Sequence, residues 1–476
     1  MIRLALPTGD LREPVGELLA SAGLAVDDYT RGSRSYVSGL KGADGVQARA
    51  FREKDIPIQI ALGNYDLGVC RLEWIEDLTQ RYPTDGIVRL RDLEIGRRSL
   101  YVAADAARDG DIRDWAQLAG LRIVSEYGNI AEALAMGLRL SAYRVFPVWG
   151  SAEAYPPEDA DLALVAATDE DDVRRLGLAP LHRLLESSLW LIANRDSASN
   201  NDLAPVLDSL IALGRAPNGR EALTLPLAPT GSQRQVDRPL NREDIVRMAL
   251  PDGHQQKHAV AALEAAGLKV DGYSTGECVA RPRADIPGLA LKVIRPQDMP
   301  QQVALGHFDL AISGRDWLVD HLCAFPASPV EEAVDLGLGC YSVAAVISRD
   351  LPADSLDHAI SLWRQEGRET VRLASEYVNI ADHCARRHHL PRYKVIPISG
   401  ASEGFVPEDA ELLIEGTETG ATLAANNLKA VDAMLESTAC VIVRRGPVPD
   451  KKRPLLERLL ELFRRAGSAA QRTEEA

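Results

Sequence analysis

DIPIQIALGNYDLGV at residues 55–69 returns as DMPQQVALGHFDLAI at 298–312, and that return decides the fold. Working outward, RLALPTGD at 3–10 answers RMALPDGH at 247–254, and IVSEYGNIAEA at 123–133 answers RLASEYVNIADH at 372–383. WGSAEAYPPEDADLAL at 149–164 answers SGASEGFVPEDAELLI at 399–414. The separations are 243 residues for Asp66 and Asp309, 244 for Pro7 and Pro251, and 250 for both Tyr127–Tyr377 and Asp159–Asp409. Four blocks in one order with little drift mean tandem duplication. The period is far longer than a solenoid repeat, so each copy is domain-sized. A chain of 476 residues is also too long for one ordinary core. The expected division is copy one at 1–215, a linker at 216–243, copy two at 244–466 and a frayed tail at 467–476. The linker is rich in Pro, Gly and polar residues and has no sustained period.

Inside each copy, short apolar runs alternate with helical patterns. Copy one starts with a strand at 4–6 and a helix closed by Gly23. In copy two, Asp298 is an expected N-cap for a short helix closed by Gly306. Such alternation predicts an α/β fold with mainly parallel sheets flanked by helices. The alternation pauses near Gly339 and resumes at ELLIEGT, which predicts two lobes per copy, one inserted into the other. Ligands of such units bind between the lobes, at strand carboxyl ends.

Composition narrows the function classes. The formal net charge of −15 argues against a nucleic-acid-binding face. No secretory signal and no membrane-length apolar run is legible, so a cytoplasmic location is expected. The six cysteines include no CxxC pair, and reduced thiols are expected. His383, Cys384, His388 and His389 alternate around a helix and offer single ligands per face, so no metal site is expected there.

The segment with most chemistry is ELLIEGTETGATLAANNL at 411–428. A strand ends at Glu415, a turn carries Thr417, Glu418, Thr419, Gly420, Ala421 and Thr422, and a helix is expected from about Leu423. Gly420 lets the backbone approach an anion, and the amides and helix start point donors at it. Thr419 and Thr422 add hydroxyls. Glu415 can accept from sugar hydroxyls or face a divalent cation. The same segment also reads as an ordinary capped strand–helix turn. Copy one has Thr168, Asp169, Glu170, Asp171 and Asp172 instead, with no glycine, and those carboxylates would repel a phosphate.

Copy two resembles the catalytic part of the ATP phosphoribosyltransferase family, the first enzymes of histidine biosynthesis. MALPDG at 248–253, RPQDMP at 295–300, DLAISGRDWL at 309–318, LGLGCYSVA at 336–344, SEYVNI at 375–380, SGASE at 399–403 and EGTETGATLAANNL at 415–428 carry the resemblance. Copy one is similar but degenerate. The resemblance implies two tandem units akin to type 2 periplasmic binding proteins. It implies transfer of phosphoribosyl from PRPP to N1 of ATP, with release of pyrophosphate and with Mg²⁺. It places Glu418, Thr419, Gly420, Ala421, Thr422 and Leu423 on the PRPP phosphate, and Glu415 on the ribose hydroxyls and the metal. Tyr377, Glu376, Ser402, Glu403 and Arg295 would face the nucleotide. Glu415, Thr419 and Arg315 would serve catalysis, Arg315 as an anion contact. Three departures remove positive charge from the family pattern. The Lys of the opening turn is absent from both Pro251–Asp252–Gly253–His254 and Pro7–Thr8–Gly9–Asp10. Ala421 replaces a basic residue, and Cys340–Tyr341–Ser342 replaces Cys-Arg-Leu.

Copy one keeps Arg31, Arg34, Arg97 and Arg98. The duplication predicts a pseudo-dimer within the chain, alone or as part of a homo-oligomer, with Arg34 reaching the copy-two site. Surface arginines are the plainer reading. Glu126 and Glu376 read as ligands or as helix-start charges, and Asp66 and Asp309 as structural or catalytic. Two other functions stay open. One is the same transfer to a different acceptor in specialised metabolism. The other is a non-catalytic regulator that binds a nucleotide or PRPP.

Overall fold

The computed structural model describes residues 2–43, 45–108, 114–200, 203–211, 213–217, 222–228, 233–236 and 244–474. Copy one folds as two sheets. The first has seven strands, ordered Ala25–Val26, Val37–Lys41, Val46–Phe51, Ile2–Pro7, Leu67–Arg71, Leu189–Asn194 and Ile87–Asp92. The second has five, ordered Arg144–Pro147, Arg122–Ser125, Leu162–Ala167, Arg98–Asp105 and Leu178–Ser187. The second sheet is inserted between the sixth strand of the chain and the return strand Leu189–Asn194, as the paused alternation predicts.

In copy two the same path forms one continuous eight-stranded sheet, because two long strands, Val330–Ser348 and Leu428–Arg444, run through both lobes. These strands pair antiparallel with each other, while Val246–Pro251 pairs parallel with Leu289–Ile294 and Leu310–Gly314. The sheets are therefore mixed, not mainly parallel. A strand pair that carries the chain out of one lobe and back must run antiparallel, and strand–helix alternation along the sequence does not register it. In copy one both crossings are interrupted. Asp92 accepts the Glu94 amide at 2.9 Å with Glu94 at φ +59°, where copy two has Asp335 accepting the Gly337 amide at 2.9 Å.

Helix boundaries shift modestly from expectation. The helix after the Gly420 turn spans Ala421–Ala425 and begins two residues before Leu423. Asp298 precedes Met299–Ala304 but makes no cap hydrogen bond. Its carboxylate instead accepts the Trp149 amide of copy one at 3.0 Å. The expected tail is helical through Glu474, in a C-terminal helix Arg453–Glu474 that buries Leu456, Leu459, Phe463 and Ala466 at helical spacing. Within the linker, Arg234–Gln235 adds to Leu118–Ala119 of copy one as a parallel pair. The linker residues 218–221, 229–232 and 237–243 lie outside the described residues.

The repeated motifs build an internal two-fold interface. Asp55 accepts the Ser399 amide at 2.9 Å and its hydroxyl at 3.0 Å, mirroring Asp298 and Trp149. Arg49 pairs with Glu408 and donates to the Gly404 carbonyl at 2.6 Å, while Tyr65 donates to Asp409 at 2.8 Å. On the mirrored side, Lys292 meets Glu158 at 2.8 Å and Asp159 at 2.9 Å, and Arg247 meets Asp159 at 2.5 Å. The shared Pro-Glu-Asp-Ala motif thus supplies the buried anions of both interfaces. Phe51, fully buried, meets the Phe405 ring edge-on at 5.0 Å. Burial of a side chain that size contributes about 1.5–3 kcal/mol. One core joins copy-one residues such as Phe51 and Tyr65 to Phe405 and Leu413. Another joins Tyr155 and Ala163 to Ile294 and Phe308. The copies pack antiparallel about an internal two-fold, first lobe against second lobe, as an isologous dimer would.

Other motif residues are structural too. Asp320 accepts the Asn379 and Ile380 amides at 3.0 and 2.9 Å, capping the helix Val378–Arg387, and Asp77 does the same for Asn129 and Ile130. Asp66 and Asp309 hold the amides of Arg3 and Arg247 at 2.7 and 2.8 Å, which ties neighbouring strands together.

Candidate active site

A cavity of about 1130 Å³ opens between the copies. From copy two it is lined by Glu376, Tyr377, Glu403 and Glu415, and by the loop residues Thr417 to Leu423. From copy one come Arg34, Arg52, Lys54 and Arg98. The structure thus gathers Glu415, Glu418, Thr419, Gly420, Ala421, Thr422, Leu423, Tyr377, Glu376, Glu403, Arg295 and Arg34 around one space.

The loop is shaped by its glycine. Gly420 sits at φ +68°, a left-handed conformation that favours glycine, and the helix Ala421–Ala425 starts immediately after it. The Gly420 amide donates to the Thr417 hydroxyl at 3.1 Å. Asn426, just beyond the helix, donates to the Arg34 carbonyl at 2.9 Å and accepts the Tyr36 amide at 3.0 Å. Copy one's Arg34 segment is therefore pinned to copy two's loop helix.

Behind the loop stand three carboxyl groups. The Ser402 hydroxyl, buried and outside the cavity lining, donates to Glu415. Removal from water raises Glu376 to about 7, against the pull of Arg52 and Lys54. Burial, then the like charges of Glu403 and Glu376, hold Glu415 well above the carboxylate range. Glu403 is raised by burial as well. Gly400 makes the approach of copy one possible, since a Cβ there would lie 2.8 Å from the Arg52 guanidinium and 3.0 Å from Glu376.

Tyr377 is buried and stacks at 4.5 Å on Trp317, as Tyr127 stacks at 4.5 Å on Trp74 in copy one. At the cleft mouth, His254 approaches Glu418 at 3.6 Å. His258, one turn on, has its pKa lowered by burial and by the nearby Lys257 and His254.

Two candidate roles change on geometry. Arg315 does not line the cavity. Its guanidinium is held by Glu332 at 2.8 Å and Asp335 at 2.8 Å, so no free charge is left for a substrate anion. Arg295 lines the cavity but pairs with Asp252 at 3.3 Å and lies against Gly150 of copy one. It is the mirror image of Arg52, so it serves the copy-one side. Sequence reasoning missed Arg52 and Lys54, which sit in the repeated REKDIP block. A block shared by both copies gave no sign that its cations cross to the other copy.

Copy one's own cleft is altered. Val165 stands where copy two has Glu415, 250 residues later. Residues 168–172 do not line the cavity. Asp169 caps its own helix by accepting the Asp172 amide at 2.8 Å, and Arg174 pairs with Glu170 and Asp171. Arg98 is likewise engaged, with Glu73 and with the Tyr127 hydroxyl at 2.9 Å. Among the four histidine-helix residues, His388 bonds Asp357 at 2.7 Å and Cys384 is buried.

Comparison with known proteins accords with the repeat. The family model described as ATP phosphoribosyltransferase matches residues 52–212 and again 295–465. The ATP phosphoribosyltransferase of Deinococcus radiodurans is 31% identical over 235 residues, 48% of this chain and 96% of that protein. The one from Saccharolobus solfataricus is 29% identical over 227 residues, 47% of this chain and 73% of that protein. Among solved structures, the ATP phosphoribosyl transferase (HisG:HisZ) complex from Thermotoga maritima aligns at 18% identity and TM-score 0.35, covering 46% of this chain and 98% of that one. The ancestral amino acid-binding protein AncCDT-1 aligns at 13% identity and TM-score 0.30, covering 49% of this chain and 96% of that one. With a matching region in each half, the chain belongs to the ATP phosphoribosyltransferase family.

Proposed function

We propose that the chain transfers the phosphoribosyl group of PRPP to N1 of ATP, the opening step of histidine biosynthesis, at one cleft formed by both copies. The observation that carries this is the convergence, in one cavity, of copy two's glycine turn and carboxyl groups with copy one's Arg34, Arg52 and Lys54. The lysine and arginine lost from copy two are compensated by cations from its tandem neighbour.

In this reading residues 418–423 cradle the 5′-phosphate, and Glu415 accepts from the ribose hydroxyls. Glu376, Tyr377 and Glu403 border the purine, and Ser402 holds Glu415 from behind. The N1 lone pair forms the new bond to the anomeric carbon while the bond to pyrophosphate breaks and pyrophosphate keeps the electron pair. No general base is needed. Alignment and neutralisation of the departing charge lower the barrier, and Arg34, Arg52 and Lys54 supply that neutralisation. Burial, then the like charges of Glu403 and Glu376, hold the Glu415 carboxyl well above the carboxylate range, a cost that a cation beside it would relieve. Mg²⁺ held there by Glu415 would supply further positive charge beside the pyrophosphate. Among the described residues no helix is long and apolar enough to cross a membrane, and a cytoplasmic location is part of the proposal.

Pyrophosphate release with PRPP, Mg²⁺ and ATP is the direct test, set beside the double variant Thr419→Ala, Thr422→Ala. Release that is lost in the variant supports the reading. Release with another acceptor alone moves the pathway and keeps the mechanism. Binding of PRPP without release from any acceptor favours a regulatory protein, a reading that Tyr341 at the family's arginine position supports.

A further inference from the structure

His254 and His258 lie four residues apart, on the turn Gly253–Gln255 and the helix Gln256–Ala265 that continues from it. That spacing puts both imidazoles on one helix face, and their rings are 6.2 Å apart. Glu418 reaches them from the phosphate loop in the other lobe. One ligand atom from each of the three lies within 4.8 Å of the others. The His258 ring is seated on Gly339 at φ +65°, where any Cβ would fall 2.6 Å from the imidazole, so the crossover strand leaves room for this side chain.

We infer that His254, His258 and Glu418 form a binding site for a zinc-class divalent cation at the mouth of the copy-two cleft. Two imidazoles and one carboxylate, with further positions open to water or substrate oxygen, suit zinc or cobalt rather than magnesium, which takes oxygen ligands. Tetrahedral coordination at about 2.0–2.2 Å brings ligand atoms closer than 4.8 Å. His254 and Glu418 already approach at 3.6 Å, close to that spacing. Lys257 competes only as an exposed pair, 4.0 Å from Glu418, and such pairs contribute little. The site joins the two lobes of copy two and sets positive charge beside Gly420. Copy one has Asp10, Pro14 and Thr168 at the matching positions, without an imidazole, so it does not repeat the site. The inference stands independently of the transfer reaction.

The test is equilibrium dialysis of the full, untagged chain against Zn²⁺ after chelator treatment, with Co²⁺ absorption as a second probe. One Zn²⁺ per chain is expected, resistant to excess Mg²⁺, together with a tetrahedral Co²⁺ spectrum. Outer-shell changes already cost metal sites about 10–100-fold in affinity. His254→Ala and His258→Ala are each expected to cost at least that, whereas His388→Ala costs nothing. Thermal melts in chelator establish that the variants fold like the parent. Zn²⁺ raises the parent's melting temperature and leaves that of Glu418→Gln unmoved. Zn²⁺ binding that survives His258→Ala, binding lost in His388→Ala, or no binding by the parent would each overturn the assignment.

Discussion

Two turns of the molecule share a fold position and differ in chemistry. Leu412–Thr417 leads through Gly420 into Ala421–Ala425, and the turn faces the cavity. Leu162–Ala167 leads through Asp169 into Glu170–Arg175, and the turn satisfies its own amides, with none of residues 168–172 lining the cavity. Glu415 of the first is Val165 in the second. The interface residues, by contrast, are kept on both sides, Asp55 with Asp298 and Glu408–Asp409 with Glu158–Asp159, and within each copy the ring pair Trp74–Tyr127 is matched by Trp317–Tyr377. Packing has stayed two-fold symmetric while the strand–helix turn and its carboxyl group have become one-sided. In a homodimer every substitution appears in both clefts. In a fused pair, one copy can lose its glycine turn and still line the other's cleft with cations such as Arg34 and Arg52.

The symmetric half of that comparison is tested most severely by the buried anions. Asp159 holds both Arg247 and Lys292, so Asp159→Ala takes the carboxylate from the buried Arg247 and leaves Lys292 with Glu158 alone, and a loss of about 3–5 kcal/mol is expected in urea unfolding. Asp409→Ala is expected to cost less, because Arg49 keeps Glu408. Equal losses would mean the two interfaces are energetically equivalent despite their different cations.

The one-sided half is tested by making copy two resemble copy one. Glu415→Val is expected to lower kcat/KM by about 10²–10³, the range for removal of a group that acts on transition-state charge. Asp169→Ala in copy one is expected to cost about 1 kcal/mol of stability through its cap, with turnover unchanged. Turnover that falls with Asp169→Ala would restore copy one as a working site. Arg52→Ala removes a cation that crosses into the copy-two cleft. A charged hydrogen bond is worth about 1.5–3 kcal/mol, so PRPP or ATP affinity is expected to fall by about one to two orders of magnitude. Arg295→Ala is expected to cost less, and equal effects in titration calorimetry would mean that one ligand spans both clefts.

The duplication, the two-lobed plan and the gathered loop residues were legible because each leaves a local mark: repeated blocks, a pause in alternation, a glycine between strand and helix. The long crossover strands were not, since Val330–Ser348 reads locally as one more apolar run. Arg315 was misread because a loop arginine at a strand end looks available until Glu332 and Asp335, distant in sequence, are folded against it. Asp298 looked like an N-cap for the same reason, and its true partner lies 149 residues away in the other copy. Contacts across the internal interface carry no local period, so neither Arg52 nor Lys54 stood out.

The finest distinction between the two sides is a matter of pH. Burial raises Asp55 to about 6 and Asp298 to about 7. In the unfolded chain both titrate near the usual value, about 3.9. Below that value both are protonated in either state and add no penalty. As pH rises through 4 toward 7, the folded protein must ionise buried carboxyls, and stability is lost across that window. Melting temperature is therefore expected to climb as the buffer is taken from pH 8 to pH 5. Below that, Glu158 reverses the trend. Burial opposes its ionisation, but the Arg281 and Lys292 partners prevail and hold its carboxyl at about 2, so its contribution fades as pH drops from about 4.5 toward 2. Asn at either aspartate keeps an acceptor for the partner amide and removes the titration. Lys54 eases both, with Arg52 at Asp55 and Arg295 at Asp298, but Asp55 has two donors from Ser399 whereas Asp298 has one amide donor from Trp149 and the like charge of Glu126 against it. Asp298→Asn is thus expected to stabilise the protein at pH 8 and flatten the climb more than Asp55→Asn does. Identical melting curves for the two variants would show that the internal interface titrates as symmetrically as it packs.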